Sequence, residues 1–446
     1  MKQVNLLTDS PRRLFFHYLG PTIGSSMVTS IYILADTIMV GQGVGDAGLA
    51  ALTIFMPIVA SFFALGLLLG IGGGVLMSVA KGSGNESLAH KYFSTAMISA
   101  AVVSVCFAVF GAIFFDPMMY ALGADTTNIE LVRGYGLCYT VSAPLFIFSS
   151  SLQSFIRNDK SPRHAMIAVL TGSGLNILLD YLFIFVFKMG MFGASFATSI
   201  GTSITVCILV IHFFTKKNTM RFSFRFFSIK ALWEIAKCGF SSFLIECANA
   251  VLVFVFNHTL LKYIGSVGVT VYSIMSNVAV VCMSLFNGVT LAAQPIIATN
   301  HGADNHKRVL QVRHIGTITS SVIAVIIFCV GFFFPDLLIY SYVKGPTPDI
   351  LELARYALRI YFFAYLFMNF NIFFSGYFQS TLRPVAAITI QILRSLLLSS
   401  VLVSVLPMIF GADAIWYAVP ITECITFFVA MAFLFFGRFK KTKDAK

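Results

Sequence analysis

The stretch GLAALTIFMPIVASFFALGLLLGIGGGVLMSVAKG, Gly48 to Gly82, carries no charged residue before Lys81. A lipid core about 30 Å thick takes roughly 20 helical residues to cross, and the part from about 49 to 72 suffices. A helix apolar all round has no water-facing side and belongs inside a bilayer. Further runs lie at about 14–39, 94–115, 131–156, 165–187, 191–214, 235–261, 269–292, 314–334, 354–378, 386–407 and 415–436. Twelve spanning helices are predicted. Composition agrees: 58% of the 446 residues are hydrophobic and 11% charged, where a soluble domain carries about a quarter charged residues.

The same stretch has an echo. GLAALTIF from Gly48 overlies GVTVYSIM from Gly268, and Gly82 with Asn85 overlies Gly302 with Asn305. Gly20 falls on Gly239, and Phe192-Gly193-Ala194 on Phe410-Gly411-Ala412. Ala143, Leu145, Phe146 and Ser154 overlie Ala364, Leu366, Phe367 and Ser375. Offsets of 218 to 221 across separate regions mark an internal repeat. The expected fold is therefore an all-α integral membrane protein with twelve transmembrane helices in two pseudo-symmetric six-helix bundles. Residues 1–214 form the first lobe, 215–232 a basic cytoplasmic linker and 233–446 the second lobe. Six is even, so both bundles insert the same way, related by an axis along the membrane normal; that favours a transporter.

The net charge of +12 would suit nucleic acid if it formed one patch. Instead twenty-two Lys and Arg fall on the termini and even-to-odd connections, against Arg133, Lys188, Lys262, Lys344 and Arg355 on the other side. This positive-inside bias puts both termini in the cytoplasm and removes the case for nucleic acid. Lys2, Arg12 and Arg13 precede a run of full spanning length, read as a retained anchor rather than a signal peptide. The eight cysteines sit in or beside apolar runs without a CxxC pair, as packing residues.

Most of the 18 acidic residues lie in loops, but Asp36, Asp180, Glu246 and Glu423 fall within spans. An ionised group at that depth costs several kcal/mol and normally faces a cavity or a partner. Counting 1.5 Å per residue, Asp36, Asp180 and Thr198 can meet in the outer half of the first bundle. Asn176 and Asp180 share one face of helix five at i and i+4, as do Ala194 and Thr198 on helix six. Two carboxylates, an amide, a hydroxyl and a carbonyl make an oxygen-only cluster. Sodium suits such ligands, and a close carboxylate pair can also hold a proton.

The run LADTIMVGQGVG (Leu34 to Gly45), NILLDYLFIF (Asn176 to Phe185) and GMFGASFAT (Gly190 to Thr198) resemble the multidrug and toxic compound extrusion (MATE) transporters of the bacterial drug-exporter type. The RNDKSP loop from Arg157 agrees, so the resemblance covers nearly the whole chain. It implies that Asp36, Asn176, Asp180, the Ala194 carbonyl and Thr198 form the first-lobe cation site. Pro21 and Tyr32 match the first-helix proline and tyrosine, and Pro21 would permit a bend. Glu246 resembles the second-lobe glutamate of larger exporters, but their tenth-helix aspartate has no counterpart: Tyr361 to Ser380 offers only Asn369 and Asn371. Glu246 is thus a candidate for substrate binding or coupling, or a partner of Arg394 or Arg359. Glu423 reads as a structural ion-pair partner of Arg394.

No GxxxxGK[ST] loop occurs, since Gly70-Ile71-Gly72-Gly73-Gly74 lacks the lysine, and HExxH and GxSxG are missing. The expectation is no enzyme and no cofactor beyond a coupling ion, sodium or proton. The reading is an inner-membrane, multi-pass, monomeric antiporter that exports organic cations, drugs and other amphipathic compounds and contacts only membrane lipid besides. The alternative is a lipid-linked oligosaccharide flippase of the same wider superfamily, whose cavity would need Arg or Lys for pyrophosphate.

Overall fold

The computed structural model describes residues 4–343 and 345–443; Lys2, Lys344 and Lys446 of the charge pattern lie outside them. Among the described residues eleven helices are long and apolar enough to span, and a bent pair supplies the twelfth. The pair, Ile129–Val141 and Ala143–Asn158, turns by 52°. Pro144 stands in the first turn of its second member, where it cannot donate a bond backwards and crowds the preceding turn.

The six helices of the first half are Pro11–Gly43, Asp46–Gly82, Glu86–Ile113, the bent pair, Pro162–Val186 and Gly190–Phe214. Those of the second are Ile229–Tyr263, Ser266–Gly302, His306–Phe333, Pro348–Ser380, Pro384–Phe410 and Ala412–Phe435. They are called helices one to twelve below. A short helix follows the third of each half, Phe115–Ala121 and Pro335–Tyr342. Left-handed residues recur in step: Gly45 and Gly265, Gly84 and Asp304, Lys160 and Leu382. The repeat therefore extends to backbone conformation. Asn85 shows why its place is kept, since its side chain accepts from Leu88 N (3.0 Å) and caps helix three. Asn305 makes the corresponding, longer contact to Arg308 N (3.4 Å).

Two compact units emerge, Met1–Cys247 with Gln294–Val309, and Ala248–Ala293 with Leu310–Lys446. They differ from a division at the 215–232 linker, because the linker is stitched into the first unit. Thr219 N donates to Asp159 Oδ2 (3.0 Å), Ser223 N to Ser94 Oγ (3.1 Å) and Ser94 Oγ to Arg221 O (3.3 Å). Just beyond, Tyr92 donates to Glu234 Oε2 (2.5 Å).

Helix two outruns the 49–72 reading by ten residues at its glycine-rich end. There it packs on protein rather than lipid, with Ser78 Oγ donating to Asn158 Oδ1 (2.7 Å) and a Cβ on Gly74 falling 2.8 Å from Asn158 Nδ2. The first core centres on stacked aromatics, Tyr139 on Phe146 at 4.1 Å, with Phe55 and Phe62 around them. The second unit builds a core of its own around Phe256, Tyr272, Phe286 and Trp416.

Candidate cation site

Helices five and six cross where side chains are smallest. A Cβ on Gly201 would fall 2.7 Å from Gly172 O and 2.9 Å from the Asn176 Cβ. Only glycine lets the two backbones meet there. One turn further along, that approach sets Asn176 against Thr198. Asn176 Nδ2 donates to Thr198 Oγ1 (3.2 Å), and Thr198 Oγ1 donates to Ala194 O (3.0 Å). Asn176, Asp180, Ala194 and Thr198 are all buried, Asp180 completely.

Helix one brings the second acid. The carboxyl groups of Asp36 and Asp180 lie within hydrogen-bonding reach of each other. Asn176 stands beside Asp180, but its amide hydrogen is directed at Thr198 and neither Asp180 oxygen receives a well-formed bond. Asp36 Oδ1 and Asn176 Oδ1 are likewise buried without partners. Tyr32 precedes Asp36 by one turn and lines, with Asn176, Thr198, Ser173 and Thr205, a cavity of about 50 Å³. Neither Asp36 nor Asp180 lines it; it adjoins the acids through Asn176 and Thr198, and its volume is that of a few waters. All five residues proposed from the sequence are thus in this one region of the first unit.

Past Asp180 helix five widens into a π-turn, Tyr181–Val186, a distortion often found at functional sites. Nothing in the sequence announced it. Gln153, Ser149 and Ser173, which also line the cavity, went unremarked for another reason: small polar residues in apolar runs are too common to stand out singly.

In the second unit Arg394 and Glu423 face each other, 5% and 2% exposed. Arg394 Nη2 donates to Glu423 Oε1 (2.7 Å), Nε to the same oxygen (3.1 Å), and Asn371 Nδ2 to Oε2 (2.7 Å). Asn369 stays apart, donating to Tyr365 O and Leu366 O, with its own Oδ1 unpartnered. Arg394 is thereby committed to Glu423, which removes it as a partner for Glu246. Glu246 is half-buried on helix seven and has no ion pair among the described residues. Helix one runs unbroken through Pro21, which stands inside it ten residues from its start.

A family model described as MatE matches residues 21–182 and 238–405, one match in each half. The chain belongs to the MatE family. It is a multi-pass membrane transporter, not an enzyme. Among curated MatE relatives, the "Multidrug export protein MepA" of Staphylococcus haemolyticus is 25% identical over 434 residues, 97% of this chain and 95% of the relative. The protein of the same name from Staphylococcus saprophyticus is 26% identical over 96% of this chain and 94% of its own. The fold matches a solved outward-facing multidrug resistance MATE family transporter with a TM-score of 0.91, at 21% identity over 99% of this chain and 98% of that one. The paired MatE matches are the repeat in another form.

Proposed function

We propose that the chain is a cation-coupled antiporter that exports drugs, organic cations and other amphipathic compounds by alternating access. The observation that carries this is the Asp36–Asp180 pair: a fully buried carboxyl group beside a half-buried one, with three buried oxygens lacking a partner. Both cannot be ionised in a dry site without a counter-charge, and no Lys or Arg forms an ion pair with either among the described residues. A proton shared by the pair, or a sodium ion held by the pair with Asn176 Oδ1, Ala194 O and Thr198 Oγ1, would supply it. The donors are all oxygen, which suits a hard cation. Binding and release of that ion would then bias the state of the first unit.

The names of the staphylococcal relatives support drugs as the cargo. The acids speak against a pyrophosphate-linked cargo, which would call for cationic side chains. The charge pattern supports an inner-membrane placement with both termini cytoplasmic. Labels at Ser83 and Asn218 should then be reached from the cytoplasm, and those at Gly43 and Pro346 from outside. The deciding experiment is efflux from proteoliposomes under imposed sodium or proton gradients. Transport indifferent to both gradients would end the coupling reading.

A further inference from the structure

Helix five begins beside a polar assembly that the coupling reading does not use. Asp159, in the turn before it, is 1% exposed. Its carboxylate accepts from Lys81 Nζ (2.6 Å), His212 Nε2 (2.9 Å), Thr219 N (3.0 Å) and the Thr219 hydroxyl. Burial opposes its charge, but the bonds from His212, Lys81 and Thr219 outweigh this and hold the carboxyl below the usual carboxylate range. That anion is committed to its own partners.

Next to it opens a cavity of about 210 Å³. Its lining includes Lys160, Arg163, Lys217 and the imidazoles of His17, His164 and His212, and among the described residues no carboxylate. With the nearest acid already taken, the charges of Lys160 and Lys217 face no described carboxylate across this concavity. Ser161 also lines it. At the N-cap of helix five a serine hydroxyl ordinarily accepts from a first-turn amide. Here it makes no capping bond, and its Oγ is buried without a partner in a side chain 6% exposed. The positive end of the helix dipole adds to the field.

The fold alone does not require this arrangement. In the matching turn of the second half, Thr381 and Leu382 replace Asp159 and Lys160. Arg383 there donates to Phe433 O (3.1 Å) and lies over the Phe378 ring. The cavity also lies where spans end, helix five starting at Pro162 and helix six closing at Phe214. Phe16, Ile167 and Phe214, each next to a lining residue or within a turn of one in sequence, are 50%, 51% and 86% exposed.

We propose that this cavity is a binding site for a phosphate-bearing anion, the chemistry shared by an anionic phospholipid headgroup and a free phosphate. Basic pockets between spanning helices recognise headgroups in this way, and the exposed apolar flank offers a surface for acyl chains.

The test uses the full-length protein in neutral detergent. Phosphatidylglycerol, phosphatidylcholine and inorganic phosphate are titrated separately, with retention read by native mass spectrometry and protection by thermal unfolding. Wild type should hold phosphatidylglycerol in preference to phosphatidylcholine. The Arg163→Gln/Lys217→Gln variant, altered at two exposed positions, should lose about tenfold or more in apparent affinity. Lys91→Gln/Lys230→Gln, the same charge change away from the cavity, should lose little. Ser161→Ala changes no charge and should weaken retention severalfold, so the test survives if the double variant folds poorly. Protection by phosphatidylglycerol but not inorganic phosphate assigns a lipid; equal protection by both assigns a soluble anion. Unchanged retention in the cavity variants, or equal loss in the Lys91/Lys230 control, overturns the site.

Discussion

Helices five and eleven hold corresponding places in the two halves, and each passes into a π-turn, Tyr181–Val186 and Leu393–Leu397. At the offset that carries Ala194 onto Ala412, Arg394 falls on Asn176. Around helix five two acids share a site with an amide and a hydroxyl, and three carboxyl oxygens are left open. Around helix eleven a guanidinium has taken the amide's place, and Glu423 has every oxygen engaged. The same scaffold thus yields an open anionic site in one half and a closed ion pair in the other. Under the proposed function the first responds to an external cation, whereas the second has no vacancy for one.

The largest effect should come from the open site. Asp180→Asn and Asp36→Asn should each reduce gradient-driven efflux by about a hundredfold or more, since an amide cannot exchange the coupling charge. Folded protein should remain, because no ion pair is broken. Equal transport by both variants and wild type, at matched membrane levels, would erase the distinction between the halves.

The closed site should fail in a different currency. Glu423→Gln leaves Arg394 buried without its counter-charge, which typically costs about 3–5 kcal/mol. Denaturation in detergent should show that loss, while the fraction that folds keeps its ion coupling. Replacing both partners by Met should recover much of the stability, since an apolar pair leaves no orphaned charge. A stable but uncoupled Glu423→Gln protein would make the second half an ion site too.

Asp159 sharpens the point, because it is a paired acid within the first half. Its carboxyl is held below the ordinary value, so its contribution is present above the unfolded pKa of about 3.9. It is lost as pH falls through the lower folded value. Asp159→Asn should cost about 2 kcal/mol near neutrality, less than a fully enclosed pair because Lys81 is 17% exposed. The gap to wild type in unfolding curves should begin to narrow below about pH 4 and close only once pH has fallen through the lower folded value. A gap that persists in acid would mean that Asp159 matters by shape rather than charge.

How much of this could be read beforehand depends on the range of the signal. Spanning segments are a local property of composition, and the repeat a property of spacing, so both were legible. Asp36, Asn176, Asp180 and Thr198 stood out because acids and their i and i+4 neighbours are conspicuous in apolar runs. The Asp159 network was not legible, since Lys81, His212 and Thr219 come from three distant parts of the chain and each passes for a topology-setting or linker residue. Helix two was cut short because hydropathy cannot tell glycine facing lipid from glycine packed on a neighbouring helix. The π-turns are register changes within uninterrupted apolar sequence, with no breaker to mark them.

The smallest and most selective effect is expected at Glu246. It is a half-buried acid with no ion pair among the described residues. It also lacks what Asp180 has, a second carboxyl within reach, because the tenth helix supplies only Asn369 and Asn371 and the latter is engaged with Glu423. A single carboxylate attracts a cationic cargo but gives a neutral amphiphile little. Glu246→Gln should therefore weaken efflux of a cationic compound by about fivefold to tenfold, the range of one partly screened charge contact. Efflux of a neutral compound should stay near wild type, still driven by the ion gradient. Asp36→Asn should silence both compounds together, because without ion-dependent switching no cargo is released. The measurement is gradient-driven efflux of one cationic and one neutral substrate, side by side, for both variants. If Glu246→Gln abolishes the two as completely as Asp36→Asn, then Glu246 is part of the coupling machinery, and the contrast between an open first half and an inert second half is wrong.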